Sequence, residues 1–343
     1  MSTEALDQAV ARARSGADLE RGQAADALSV IMAGEAGEDQ IRELLLALRE
    51  KGESADELAG MAQTMRSMAS EVRPSRTDLL DTCGTGGGRQ TFNISTPAAL
   101  VAAGAGCAVA KHGNRTATGL TGSADVLEEL GASLDLDPEA EAQLIDEIGF
   151  GFMFAPAHHA ATRYVVPVRK ALGVSTIFNL LGPLTNPAGA SRQLIGVWEP
   201  GRLDVVAGAL ARLGTAHALV VCGLDGIDEI SISAPTEARE VRGGDVQELT
   251  ITPEQLGLPE AAPEEIPGGD APESARVIRS VLAGETGAAR DIVLANAAAA
   301  IYLSGGAESI REGVARAGAS IDSGAASEVL AAYVERSREL AAP

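Results

Sequence analysis

The 343-residue chain is 45% hydrophobic and only 3% aromatic, with 27 basic against 48 acidic side chains. This composition supplies a sizeable core of small and aliphatic residues, excludes wholesale disorder, and suits one large domain plus a smaller one. A formal net charge of −21 opposes binding of DNA or RNA over a broad face, and no run of roughly 18 apolar residues offers a membrane span.

Residues 1–72 read as helix after helix. In LERGQAADALSVIMAG, Leu19, Ala24, Leu28, Ile31 and Met32 recur at helical spacing before Gly34 stops the run. In EDQIRELLLALREKG, Ile41, Leu44, Leu45 and Leu48 share a face and Gly52 is the stop signal. SADELAGMAQTMRSMASEV follows, with Ser54 as its expected N-cap. A helical bundle without chemistry of its own is expected here. The opening MSTEALDQAVARARSG carries acidic residues and no long apolar stretch, so it does not read as a secretory signal.

After Pro74 the pattern changes to strand, loop, helix. LLDTCG is an expected strand, followed by a glycine-rich turn and the helix PAALVAAGAG; CAVAKHG is another, followed by a polar loop and the helix SADVLEELG. Such alternation predicts an α/β domain with a central, mostly parallel sheet. QLIGVW, HALVVCG and EISIS are further expected strands, AREVRGGDVQELTI a pair joined at Gly243-Gly244, and ARVIRSVLAGETG onward a helical end. Cys83, Cys107 and Cys222 lack metal-ligand spacing. A sparse, odd set of thiols fits buried structural residues in a reducing, cytoplasmic compartment.

Four segments carry chemistry. In DTCGTGGGRQTFNIST, glycines let backbone N–H groups converge on an anion, and Asn93, Ser95 and Thr96 add donors where a helix begins. Arg89 breaks the dinucleotide-binding glycine pattern, and no Gly-Lys-Ser/Thr ends the loop as in a P-loop. In AKHGNRTATGLTGSADVLEELG, Lys111 is one of only three lysines, beside His112, Asn114 and Arg115. A cation next to a second Gly/Ser/Thr turn is what a pyrophosphate or ribose phosphate needs. Ser123 stands where a helix starts, as an N-cap, a phosphate donor or both. Asp228-Glu229 follows a strand, and adjacent loop carboxylates suit Mg²⁺, which binds one or two carboxylates plus substrate phosphates. That ion answers how so acidic a chain could hold an anion. In FGFMFAPAHHAATRYVVPVRKALG, Phe152, Met153 and Phe154 suggest an apolar wall and Arg169 a grip for an aromatic carboxylate. His158 and His159 are adjacent and do not share a helix face, which argues against a metal pair.

These segments, with IMAGEAGEDQIRELLLALREKGE, PVRKALGVSTIFNLLGPLTNP, DGIDEIS and LANAAAAIYLSG, closely resemble the anthranilate phosphoribosyltransferase family, over almost the whole chain. The resemblance implies a nucleoside phosphorylase/phosphoribosyltransferase-type fold: a small helical domain, 1–72, with helices near 170–190 joining it, and a large α/β donor-binding domain, 73–343. It implies a homodimer formed through the helical domain, with anthranilate and 5-phosphoribosyl 1-pyrophosphate as substrates. The donor would be met by Gly84, Gly86, Gly87, Gly88, Thr91, Asn93, Ile94, Ser95 and Thr96. Lys111, His112, Gly113, Asn114, Arg115, Thr118, Gly119 and Ser123 would complete that set. Anthranilate would be met by Gly84, His112, Asn114, His159 and Arg169, and Mg²⁺ by Ser95, Asp228 and Glu229. Catalysis is expected from positioning and charge neutralisation, with no dedicated catalytic side chain.

Two departures stand out. The family loop often reads GTGGDG, whereas here Gly88 replaces the acid and the loop is shorter; after KHGNR, Thr118-Gly119 stands for paired serines. The competing readings are a pyrimidine nucleoside phosphorylase, which the KHGNR and FNLLGPLTNP segments disfavour, and a non-catalytic nucleic-acid-binding relative, which the charge disfavours.

Overall fold

The computed structural model describes residues 3–115 and 120–341. Four helices open the chain: α1 (Glu4–Arg14), α2 (Arg21–Met32), α3 (Glu38–Lys51) and α4 (Ala55–Ser67). Gly52 ends α3 in the left-handed half of backbone space, φ +86°, where a side chain would be strained. Ser54 Oγ accepts the Glu57 N–H at 3.3 Å, and the Glu57 carboxylate accepts the Ser54 N–H at 2.8 Å. This reciprocal cap fixes the start of α4. Glu57 is fully buried, and its charge is met by Lys51 Nζ at 2.8 Å and the Leu19 N–H at 2.8 Å.

Among the described residues seven strands form one sheet: β1 (Leu79–Gly84), β2 (Ala108–Gly113), β3 (Phe150–Phe154), β4 (Arg192–Gly196), β5 (His217–Gly223), β6 (Thr236–Arg242) and β7 (Asp245–Ile251). Their order is β3-β2-β1-β4-β5-β6-β7. The first five run parallel, and the hairpin β6–β7, turning at Gly243-Gly244, adds two antiparallel strands. Between them lie α5 (Ser95–Gly104), α6 (Ser123–Leu130), α7 (Pro138–Ile148), α8 (Ala155–His158), α9 (Val166–Leu172), α10 (Phe178–Leu181) and α11 (Leu203–Arg212). The inner strands are continuous buried runs, as strands covered on both faces must be.

One apolar cluster joins a sheet face to α5, α6 and the C-terminal helices Ala271–Leu282, Ala288–Leu303, Ile310–Asp322 and Ala325–Leu340. A second joins α11 and the opposite face, through Ile195, Val220 and Val241, to α1–α4 and to Val168, Phe178 and Leu181 of α9 and α10. The helical bundle therefore packs on the α/β part through a shared apolar cluster.

Two sequence expectations are corrected. EISIS is a loop, because the Asn296 side chain takes both backbone groups of Ile230 (N–H to Oδ1 2.9 Å, Nδ2–H to the carbonyl 3.0 Å) and no ladder partner is needed. FGFMF is the edge strand β3, so Phe152 and Met153 are core residues and form no exposed wall.

Candidate active site

Gly84 and Gly196 end β1 and β4 side by side in parallel register. The chain leaves β1 toward β2 and leaves β4 toward β5, on opposite sides, so the sheet's switch point lies between them. Open α/β sheets bind ligands at that crevice. Here segment 224–235, after β5, folds back over it. A Cβ at Gly84 would run into Asp228 Oδ2, and one at Gly196 into the Asp228 carbonyl. Both glycines are required by that close approach.

The turn after β1 faces the same point. Gly86 and Gly87 adopt φ of +66° and +98°, which turns successive N–H groups toward one side. The Gly86 N–H donates to Asp228 Oδ2 at 2.8 Å, and the Arg89 N–H to the Gly226 carbonyl at 2.6 Å. The Trp198 ring lies 3.4 Å from where a Gly87 Cβ would stand, backing the turn. Ser95 is the first residue of α5, and its N–H serves the Glu229 carboxylate. Burial, then the neighbouring Asp228, pushes the Glu229 carboxyl up to about 8 despite Lys111 and that N–H. Asp228 is also raised, by burial.

Lys111 is 1% exposed. Its Nζ donates to the Thr82 carbonyl and to Ser95 Oγ, the latter at 3.1 Å. Burial lowers its pKa against the pull of Asp81, Cys83 and Glu229. Asp81 is fully buried and accepts the His112 N–H at 3.0 Å and Asn186 Nδ2–H at 2.8 Å. Asp81, Thr82, Asn186 and Gly196 belong to the site without having been expected from the sequence; the signal for Asp81 was a carboxylate within an otherwise apolar strand.

His112 and His159 meet edge to face, ring centroids 5.2 Å apart. His112 Nδ1 faces the Gly182 carbonyl at 3.2 Å, and His159 Nε2 the Thr185 carbonyl at 3.0 Å. Each carbonyl takes an N–H, which fixes the tautomer. Burial, then neighbouring imidazoles, lowers His112 to about 3 and His159 to about 4. Both rings are therefore neutral near pH 7. An unfolded chain would protonate them below its ordinary value near 6.5, so stability is expected to fall as pH drops from 6.5 toward 4. Thermal denaturation at pH 7 and 5 tests this; His112→Gln should flatten the dependence. His158 turns away, its ring held by Glu141 at 2.8 Å and the Ser70 carbonyl at 2.8 Å.

The other sequence candidates fall as follows. Asn93 Nδ2–H reaches the Thr121 carbonyl at 3.3 Å, while Asn93 Oδ1 and Thr96 Oγ1 are buried without partners among the described residues. Thr91 is half-buried, and Ile94 buries its side chain, leaving only backbone to the crevice side. Gly113, Asn114 and Ser123 converge, with Ser123 Oγ 3.4 Å from the Asn114 carbonyl. The N-cap of α6 is Gly122; Ser123 is the first helical residue, because Asp125 already accepts the Gly122 N–H at 2.8 Å. Arg115 points outward, paired with Asp125 at 3.0 Å and Glu128 and lying over Phe154. Arg169 is half-buried over the Phe178 ring, 3.4 Å from Asn179 Oδ1. Cys107 and Cys222 are buried and Cys83 half-buried. Thr118 and Gly119 lie outside the described residues.

The arrangement can hold an anion on glycine and helix N–H groups. It can also hold a hard divalent ion, since two crowded, desolvated carboxylates with raised pKa are the oxygen donors Mg²⁺ takes. Among the described residues no group of three or more His, Cys, Asp or Glu is placed to hold a metal. Any ion here would therefore depend on further oxygens from substrate or water.

Residues 76–327 match the a/b domain of the glycosyl transferase family, and residues 7–69 its helical bundle domain. An anthranilate phosphoribosyltransferase of Symbiobacterium thermophilum is 54% identical over 325 residues, 94% of either chain. The crystal structure of anthranilate phosphoribosyltransferase from Thermus thermophilus is 46% identical with a TM-score of 0.90, covering 96% of this chain and 99% of that one. The Saccharomyces cerevisiae enzyme, solved in complex with PRPP and Mg, is 28% identical with a TM-score of 0.90, covering 99% of each.

Proposed function

The chain belongs to the glycosyl transferase family, among its anthranilate phosphoribosyltransferases, and we propose that the switch-point loops hold its donor and Mg²⁺ while His112, His159 and Arg169 meet its acceptor. It transfers the 5-phosphoribosyl group of 5-phosphoribosyl 1-pyrophosphate to anthranilate, giving N-(5-phosphoribosyl)anthranilate and pyrophosphate, the second step of tryptophan biosynthesis. The observation that carries the site assignment is the convergence of the Gly86 and Ser95 N–H groups, Lys111 and the Asp228-Glu229 pair at one sheet crevice.

In the reaction the bond from the anomeric carbon to pyrophosphate breaks, its electron pair leaving with pyrophosphate, as the amine nitrogen forms its bond from the opposite face and releases one proton to water. The aromatic amine is neutral near pH 7, so its lone pair needs no strong base. His112, neutral and donating through Nδ1, keeps an Nε2 lone pair without a partner among the described residues. That lone pair suits an amine N–H. The glycine N–H groups and Lys111 would stabilise the charge developing on the leaving pyrophosphate; without it the Gly86 N–H serves Asp228 and the ammonium serves Thr82 and Ser95. Asp228, Glu229 and the Ser95 hydroxyl would hold Mg²⁺, which when bound supplies positive charge to that leaving group. Positioning carries the rest.

The same reading divides the chain into a helical domain, 1–72 with helices near 170–190, and an α/β domain, 73–343. It also carries a homodimer through the helical domain and a cytoplasmic location; the sparse thiols support the latter.

Loss of anthranilate fluorescence on adding donor and Mg²⁺, with each omitted in turn, tests the activity; conversion without donor would refute it. In that assay Arg169→Ala is expected to raise the anthranilate KM about ten- to a hundredfold, the worth of a charged hydrogen bond, and to leave the donor KM nearly unchanged. An equal rise in both would remove Arg169 from the carboxylate role.

A further inference from the structure

Gly88 and Arg89 sit where this chain departs from the family's loop. A Cβ at Gly88 would stand 2.5 Å from the Gly226 carbonyl. An acid placed at position 88 of this turn therefore has no room, because the turn is drawn against segment 224–230.

Arg89 makes that closure. Its N–H donates to the Gly226 carbonyl at 2.6 Å, and its Nη2 to Asp225 Oδ2 at 2.7 Å. Its Nη1 reaches the carbonyls of Pro263 at 3.2 Å and Ile266 at 3.3 Å. The neighbouring Phe92 N–H adds a bond to the Pro267 carbonyl at 3.1 Å. The Asp225 side chain is only 8% exposed, so the guanidinium it faces stands in for the water it has lost. Asp225 lies three residues before Asp228, whose carboxylate takes the Gly86 N–H at the other end of the turn.

We infer that Arg89 is a positioning residue for the donor, knitting the shortened glycine turn to the acidic 224–230 segment and to segment 263–268. This rests on the donor site proposed above. A planar fork can serve one carboxylate and two carbonyls at once; a lysine ammonium on a flexible stem keeps the ion pair but not that fixed geometry. Its Nη1 and Nη2 are spent on protein partners, and its Nε–H is buried with no acceptor among the described residues, so the guanidinium acts through the turn.

The test compares wild type, Arg89→Ala, Arg89→Lys and Gly88→Asp by calorimetric titration with 5-phosphoribosyl 1-pyrophosphate and Mg²⁺, alongside KM values and Tm. Arg89→Ala is expected to raise the donor Kd and donor KM about ten- to a hundredfold, the cost of a misplaced site, with the anthranilate KM close to wild type. Arg89→Lys should recover part of this loss. Gly88→Asp should weaken the donor comparably, although it restores the family's acid. A wild-type donor Kd in Arg89→Ala, or tighter binding in Gly88→Asp, overturns the inference. So does an equal loss for both substrates that follows a fall in Tm. Failure of wild type itself to bind donor would instead overturn the donor-site reading, and this inference with it.

Discussion

The double variant Asp228→Asn/Glu229→Gln is expected to lose about a thousandfold or more in turnover, the scale of removing a main electrostatic stabiliser of a developing charge. The expectation follows from where the pair sits. Asp228 lies directly over Gly84 and Gly196 at the switch point, and Glu229 faces the N-terminus of α5. The amides keep nearly the same shape, and an Asn at 228 still offers an oxygen to the Gly86 N–H now bonded at 2.8 Å. The fold should therefore persist while the two carboxyls able to ionise around a cation disappear. Both carboxyls are held above their ordinary range by burial, and Glu229 further by Asp228. Neutral amides carry no such desolvation penalty, so Tm should hold or rise. Turnover and donor affinity measured against Mg²⁺ concentration separate the outcomes. The variant should show neither activity nor donor binding that responds to Mg²⁺. Near-normal, Mg²⁺-responsive turnover would take the pair out of the metal site.

What the sequence made legible was local. Gly86-Gly87, the start of α5 and the cap at Ser54 each announce themselves within a few residues, because φ preference and capping are short-range effects. Asp228-Glu229 and Lys111 were readable as charge placed where an acidic chain needs it. What stayed hidden was set by distant segments. Gly196 carries no local mark; its meaning comes from Asp228, 32 positions later, pressing on it. The buried Asp81 is satisfied from His112 and Asn186, neither adjacent in sequence. EISIS has the composition of a strand, and only the amide of Asn296, 66 residues beyond Ile230, keeps it a loop. Tertiary partners override β-propensity in that way. Arg89 was read only as a break in a glycine pattern, since its partners lie 136 to 177 residues away.

Lys111→Met is expected to cost both stability and activity, and a second substitution separates the two losses. Lys111 is buried at 1% exposure, and its ammonium serves the Thr82 carbonyl, Ser95 Oγ and, through space, the buried Asp81. Methionine fills much of the same volume but leaves the Asp81 charge without its cation. Breaking such a buried arrangement costs on the order of 3–5 kcal/mol, read as a fall in Tm. Turnover should fall about a hundredfold or more if the ammonium also faces the leaving pyrophosphate. Adding Asp81→Asn removes the orphaned charge, so the double variant should be more stable than Lys111→Met alone. Rescue will be partial, because an Asn side chain has one oxygen for the two donors, His112 N–H and Asn186 Nδ2–H, that Asp81 now accepts. Contacts of this kind are non-additive, and the double variant measures that coupling. The decisive quantity is turnover in the double variant. A lysine that only balanced Asp81 would let activity return with stability. A lysine that neutralises the donor would not, since no other side chain donates to Ser95 Oγ among the described bonds. Stability recovered while turnover stays low is therefore the expected result, and recovery of both would reassign Lys111 to the fold.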